Sequence, residues 1–140
     1  MIALNDLNKI RNLLAEAKVI AIVGLSPKEE RPSNMVARYL IDAGYTILPV
    51  NPGHDRILGL PCFPSLLSIE DNVDIVDIFR KSEDVGPIVQ QAIQIDCKVI
   101  WMQLGISNHA AAEIAWQHGK EVVMDRCIKV DHANLLAPKH

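Results

Sequence analysis

Short apolar runs alternate along the chain with segments whose apolar residues recur every three or four positions, and the two periods predict two kinds of element. Lys18 to Gly24 (KVIAIVG) is apolar after its first residue and ends in glycine, the pattern of a strand buried on both faces. Tyr45 to Val50, Val73 to Phe79, Lys98 to Leu104 and Glu121 to Met124 read as four further strands. Asp74 and Asp77 interrupt Val73 to Phe79, the third of the five strands, which is therefore expected to be less uniformly buried than the first.

Helical spacing fills the intervals. Leu4, Leu7, Ile10, Leu13 or Leu14 and Ala17 predict an amphipathic opening helix. Met35, Val36, Tyr39, Leu40 and Ala43 mark a second, stopped by Gly44. Val85, Ile88, Val89, Ala92 and Ile93 mark a third, with Ser82 as its cap and Glu83 and Asp84 in the first turn, where the helix dipole favours acids. Ala111, Ile114, Ala115 and His118 give the inward face of a fourth, capped by Ser107 and ended by Gly119. Ile57 to Phe63 reads as a punctuated connection with a short extended piece, and Ser65 to Ile69 as one helical turn. The tail to His140 carries one apolar cluster, Leu135 and Leu136.

Alternation of this kind predicts an α/β fold, a doubly wound parallel five-stranded sheet of Rossmann-like type in three layers, with right-handed crossovers. No repeat, linker or low-complexity stretch divides the sequence, so residues 1–140 are read as a single domain behind an N-terminal amphipathic helix.

Composition sharpens this picture. The 140 residues are 49% hydrophobic and 22% charged, ample for a core and unlike a disordered chain. The net charge of -3, with Lys and Arg scattered, offers no basic stripe, so nucleic acid is not an expected partner. An anionic ligand would have to be held by local donors against a slightly repulsive field. Cys62, Cys97 and Cys127 are odd in number and widely spaced, which reads as reduced thiols, the first two buried or half-buried. Asn5, Asp6, Lys9 and Arg11 rule out a signal peptide or membrane span at the N-terminus, and no other stretch reaches spanning length. The expected location is the cytoplasm.

In a doubly wound sheet, ligands bind beyond the carboxyl ends of the strands, where the strand order reverses. With the first strand central, the crevice is expected between strands one and four, walled by Gly24 to Asn34 and by Gln103 to Ser107. Gly24-Leu25-Ser26 lets the backbone turn and aim its amides at an anion. The helix starting near Ser33 and Asn34 adds N–H groups and a positive dipole end. Ser26 and Ser33 offer hydroxyls; Lys28 and Arg31 offer charge. This equipment suits a pyrophosphate, although the full GxGxxG fingerprint is absent and a plain strand-to-helix turn is the alternative.

The end of strand two bears on which nucleotide fits. An NAD site places Asp or Glu there, whereas this chain has Asn51, then Pro52, His54 and Arg56. A neutral, then basic, neighbourhood favours a ribose phosphate, as in coenzyme A or NADP, unless His54 and Arg56 belong to a solvated loop. After strand three, Phe79 and Arg80 could clamp a phosphate or stack on adenine, or Arg80 could pair with Glu83 or Asp84. Gly105 permits close approach beside Gln103 and Leu104. Trp101, Met102 and Trp116 read as packing residues. Asp125, Arg126, Cys127, Asp131 and His132 form a polar cluster that makes a poor zinc set and is read as capping the carboxyl edge.

Four ordered stretches, AIVGLSPKEERPSNMVARYLIDAGYTILPVNPG, VDIVDIFR, WMQLGI and VMDRCIKVDH, resemble the small stand-alone CoA-binding-domain proteins, relatives of the CoA-binding domain of the succinyl-CoA synthetase alpha subunit. The resemblance runs from about Lys18 to His132. It implies a domain that holds the ADP part of coenzyme A. Gly24, Leu25, Ser26, Arg31, Ser33 and Asn34 would surround the diphosphate. Val50, Asn51, Pro52 and His54 would lie near the adenosine and its ribose phosphate, while Phe79, Arg80, Gln103, Leu104 and Gly105 would border the remaining groove. The synthetase keeps its phosphorylated histidine in a second domain and its nucleotide-activating machinery on another subunit. A chain ending at His140 has room for neither, so ligase activity is not expected. The implied role is a non-catalytic carrier, sensor or regulatory protein for CoA or acyl-CoA. The alternatives are an NADP-dependent oxidoreductase or other CoA-dependent enzyme, and an interaction module with a vestigial pocket. A protein partner or self-association stays open.

Overall fold

The apolar runs form the sheet in the computed structural model, which describes residues 5–136. In chain order the strands are β1 (Val19–Val23), β2 (Thr46–Val50), β3 (Arg56–Ile57), β4 (Leu60–Pro61), β5 (Val73–Ile78), β6 (Cys97–Met102) and β7 (Glu121–Met124). Five of them make one parallel sheet in the order β2-β1-β5-β6-β7. The pattern is the expected Rossmann-like α/β architecture. The strand order, however, sets β5, the third strand of the sheet, beside β1. The order therefore reverses between β1 and β5, and the crevice expected between strands one and four lies one strand nearer.

Alternate residues of each strand face opposite layers, as the two-residue period of a strand requires. Ile20, Ile22, Ile75 and Trp101 meet α1 (Leu7–Glu16), α2 (Pro32–Asp42) and α5 (Ile128–Leu135) through Ile10, Leu14, Val36, Leu40 and Ile128. Ala21, Val76, Ile100 and Val122 meet α3 (Val85–Ala92) and α4 (His109–Gln117) through Val85, Val89, Ala111 and Ala115. Asp6 caps α1, its carboxylate accepting from the amides of Asn8 (2.9 Å) and Lys9 (3.4 Å). Leu4, assigned above to this helix, lies outside the described residues. No helix among the described residues is long and apolar enough to cross a membrane.

Several local expectations are corrected. β5 is as buried as β1: Asp77 is fully buried, and Asp74 accepts from the amides of Lys18 (2.7 Å) and Val19 (2.9 Å), tying the start of β1 to β5. Ser82 does not cap its own helix. Its hydroxyl accepts from Ser107 N–H (3.0 Å) and its carbonyl from the Asn108 amide group (2.9 Å), so it joins the loops before α3 and α4. Asn108, not Ser107, caps α4, accepting from Ala111 N–H at 3.0 Å. His118 is exposed, its ring bonded to the Ile114 carbonyl (2.9 Å), and Trp116 is 53% exposed while Trp101 is fully buried. The punctuated connection is a hairpin, β3 to β4, turned by Leu58 and Gly59 at φ 56° and 73°, the conformation that two-residue hairpin turns favour.

The tail contains a helix the periodicity did not show. In α5 the inward position Asp131 is polar, and it is satisfied by a two-pronged pair with Arg126 (2.7 and 2.8 Å). His132 fastens α5 to α2 through Tyr39 Oη (2.8 Å) and stands edge-on to Tyr39 and Tyr45. Burial lowers the pKa of this imidazole. Its stabilising share is therefore whole above the ordinary histidine value of about 6.5 and is lost as pH falls through the lower folded value. The melting-temperature advantage of the wild type over His132→Phe should shrink between about pH 7.5 and about pH 5. A constant difference would refute this assignment.

Candidate functional site

β1 ends in a turn that only glycine fits. Gly24 has φ 87°, and a Cβ there would stand 2.4 Å from the Phe79 carbonyl oxygen and 3.3 Å from Arg80 Nε. The turn is held between its neighbours: Gly24 N–H donates to the Val50 carbonyl and Phe79 N–H to the Val23 carbonyl, both at 2.9 Å. The ends of β2, β1 and β5 thus meet at one point, on the carboxyl edge of the sheet where the strand order reverses.

Above that point is an open cleft of about 480 Å³, lined by Gly24, Ser26, Pro27, Lys28, Arg31, Pro32, Ser33, Asn51, His54, Phe79 and Arg80. Three lining residues are permanent cations and none is acidic, so the cleft is positive although the chain carries -3. The ion pair found among the described residues is Arg126 with Asp131, so Arg80 is not held by Glu83 or Asp84 and its guanidinium stays beside Gly24.

Part of the amide cradle expected after Gly24 is occupied from within the protein. Ser26 N–H donates to Ser33 Oγ (2.9 Å), Lys28 N–H to Ser26 Oγ (3.1 Å), and the amides of Asn34 and Met35 to the Arg31 carbonyl (both 3.1 Å). Those amides are spent inside the protein. Side-chain chemistry lines the cleft as well: the hydroxyls of Ser26 and Ser33, each with its own proton still to donate, and the charges of Lys28, Arg31 and Arg80.

Nine of the sequence-derived candidates converge here: Gly24, Ser26, Lys28, Arg31, Ser33, Asn51, His54, Phe79 and Arg80. The others do not line the cleft. Leu25 and Val50 are core residues, and Asn34 is fully buried, its amide group donating to the Ser26 carbonyl at 2.8 Å. Pro52 is exposed in the turn after β2, and Arg56 reaches back to the Gly59 carbonyl of its own hairpin. Gln103, Leu104 and Gly105 follow β6, one strand beyond the crevice. Gln103 is buried and accepts from Ile128 N–H (3.4 Å); Gly105 N–H donates to Asp125 (2.6 Å). Leu104, 66% exposed, borders a separate hollow with Asp125, Arg126, Cys127, Val130 and Asp131.

Asn51 lines the cleft and also ties it together. It donates to the Leu25 carbonyl (3.0 Å) and accepts from Gly53 N–H (3.1 Å), bracing the two walls against each other. Behind it lies the Cys62 thiol, bonded to the Asn51 carbonyl (3.4 Å) and pushed up in pKa by burial. The three cysteines are unpaired. Pro27 and Pro32 also form part of the lining; they fall within the expected wall Gly24 to Asn34, but the sequence assigns them no role of their own, because a proline in a loop signals only a turn.

Residues 18–133 match the family model described as CoA binding domain. The chain belongs to this CoA-binding-domain family. A relative in Bacillus subtilis, the uncharacterized protein YneT, is 42% identical over 125 residues, covering 89% of this chain and 93% of that protein. A solved structure of a hypothetical protein from Pyrococcus horikoshii OT3 superposes with a TM-score of 0.92 at 39% identity, covering 98% of this chain and 96% of that one. The ADP-forming acetate–CoA ligase I of Archaeoglobus fulgidus is 31% identical over an aligned length of 121 residues, covering 79% of this chain but only 18% of the ligase. The similarity to the family thus takes in the whole cleft, and the similarity to the ligase takes in a small part of that enzyme.

Proposed function

We propose that the cleft binds coenzyme A, or an acyl-CoA, through its ADP part, and that the protein works in the cytoplasm as a non-catalytic carrier, sensor or regulatory partner. One observation carries this reading: Lys28, Arg31 and Arg80 and two serine hydroxyls, with no acid among the lining residues, line the cleft over the Gly24 turn at the reversal of strand order. A diphosphate and a ribose phosphate need that balance of charge. Membership of the CoA-binding-domain family supports the same ligand. An NAD ribose lacks its usual carboxylate here, because Asn51 stands at the end of β2 with its amide engaged on both sides.

The non-catalytic part of the reading rests on the lining. Ser26 and Ser33 accept amide hydrogens, and no bond among the described residues joins either hydroxyl to a carboxylate or imidazole. An activated nucleophile needs such a base. Titration calorimetry with CoA, dephospho-CoA, NADP and NAD tests the proposal. CoA should bind, removal of the ribose phosphate should weaken binding by about tenfold, the scale of one charged hydrogen bond, and added salt should weaken it further. Failure of both CoA and dephospho-CoA to bind would overturn it.

A further inference from the structure

Arg38 belongs to no part of the cleft, yet it controls the loop that forms one wall. From the second turn of α2 its guanidinium makes two bonds in different directions. Nε donates to Asn34 Oδ1 (2.9 Å) and one Nη donates to the Glu29 carbonyl (2.9 Å). Asn34 is fully buried, and its amide group passes the constraint on by donating to the Ser26 carbonyl (2.8 Å). Both middle and start of the loop are therefore pinned from one exposed side chain.

We propose that Arg38 is a positioning residue: through Asn34 and Glu29 it holds residues 26–31 in the shape that meets the phosphates of the bound nucleotide. The inference rests on the CoA reading for its consequence, though not for its structural content. Loop residues 26–31 have no helix or strand of their own to fix them. Their internal bonds, Lys28 N–H to Ser26 Oγ (3.1 Å) and Arg31 N–H to the Lys28 carbonyl (3.1 Å), close small turns without fixing where those turns sit. Placement comes from the contacts that leave the loop. Without the Arg38 donor, the buried Asn34 oxygen and the Glu29 carbonyl both lose their partner, and the middle of the loop is no longer tied to α2. The preorganised wall then becomes an ensemble, and ordering it on binding costs affinity.

Arg38→Lys separates this account from simple charge attraction. Lysine keeps the positive charge but cannot form a planar fork to two acceptors. Two measurements are needed. In the ligand-free protein, amide hydrogen exchange over residues 25–31 should be about tenfold faster in Arg38→Lys and in Arg38→Gln than in wild type, while exchange in β5 and β6 stays unchanged. In calorimetry, both variants should bind CoA about tenfold more weakly, with Arg38→Lys keeping the wild-type salt dependence. Unchanged exchange in the loop, or wild-type affinity in Arg38→Lys, would overturn the proposal. The exchange experiment contains no ligand, so failure of the wild type to bind CoA would sink the functional reading while leaving the brace to stand or fall on its own result.

Discussion

Gly24→Ala should lower the melting temperature by about 10 °C and abolish measurable CoA binding. Two costs add at this position. The residue has φ 87°, where a side chain is strained by about 1–2 kcal/mol. The added methyl group would also stand 2.4 Å from the Phe79 carbonyl oxygen, closer than such contacts occur, and the neighbour is backbone rather than a movable side chain. Phe79 can retreat only by giving up its 2.9 Å bond to the Val23 carbonyl, which parts β1 from β5 directly beneath the cleft. Together these amount to roughly 3 kcal/mol, and Arg80, whose Nε lies 3.3 Å from the same methyl position, moves with them. Gly119→Ala is the internal control. That glycine has φ 79° with nothing within 4 Å, so it carries the conformational cost alone. Differential scanning calorimetry of the two variants should show the larger fall for Gly24→Ala. Equal falls would mean that the close approach of β1 to β5 has no energetic weight.

The contrast between these glycines shows what the amino-acid pattern reveals and what it hides. Gly24 reads as a tight turn because it ends an apolar run and opens Gly24-Leu25-Ser26, and both are local facts. Strand positions were legible for the same reason: Glu121 to Met124 emerges with the bounds its pattern predicts. Strand order is not local. A right-handed crossover can place the next strand beside its predecessor or across the sheet, and only packing decides that β5 lies beside β1. This single fact moved the crevice by one strand and left Gln103, Leu104 and Gly105 outside its lining. The helix α5 was hidden because one of its two buried positions is Asp131, a residue read with its polar neighbours as a cap on the carboxyl edge until Arg126 is seen to neutralise it. The role of Arg38 could have been suspected from its spacing of four after Asn34, which puts both on one face of α2. Its second bond, to Glu29, requires the folded loop.

Asp77 is the residue whose environment departs furthest from its letter, and replacing it should stabilise the protein. It sits in β5 between Ile22 of β1 and Trp101 of β6, fully buried, and neither carboxylate oxygen has a hydrogen-bond partner among the described residues. Burial raises its pKa well above the ordinary carboxylate range, so the folded protein holds the group protonated where the unfolded chain has released the proton. Below the ordinary aspartate value of about 3.9, both states are protonated and folding bears no penalty. As pH rises from there, folding must take up a proton, and stability falls by about 1.4 kcal/mol per pH unit until the folded pKa is reached. Asp77→Asn removes the titration while keeping the shape, so its stability should lose this slope. Asp77→Val also removes the unsatisfied polar atoms and should be more stable than wild type by roughly 2 kcal/mol near neutral pH, with overpacking by the larger side chain setting the upper bound. Urea unfolding at a series of pH values from about 5 to about 8 should show both variants gaining on the wild type as pH rises. Parallel curves for all three proteins would mean that Asp77 is ionised in the fold and has found a partner there, and the buried neutral acid would have to be abandoned.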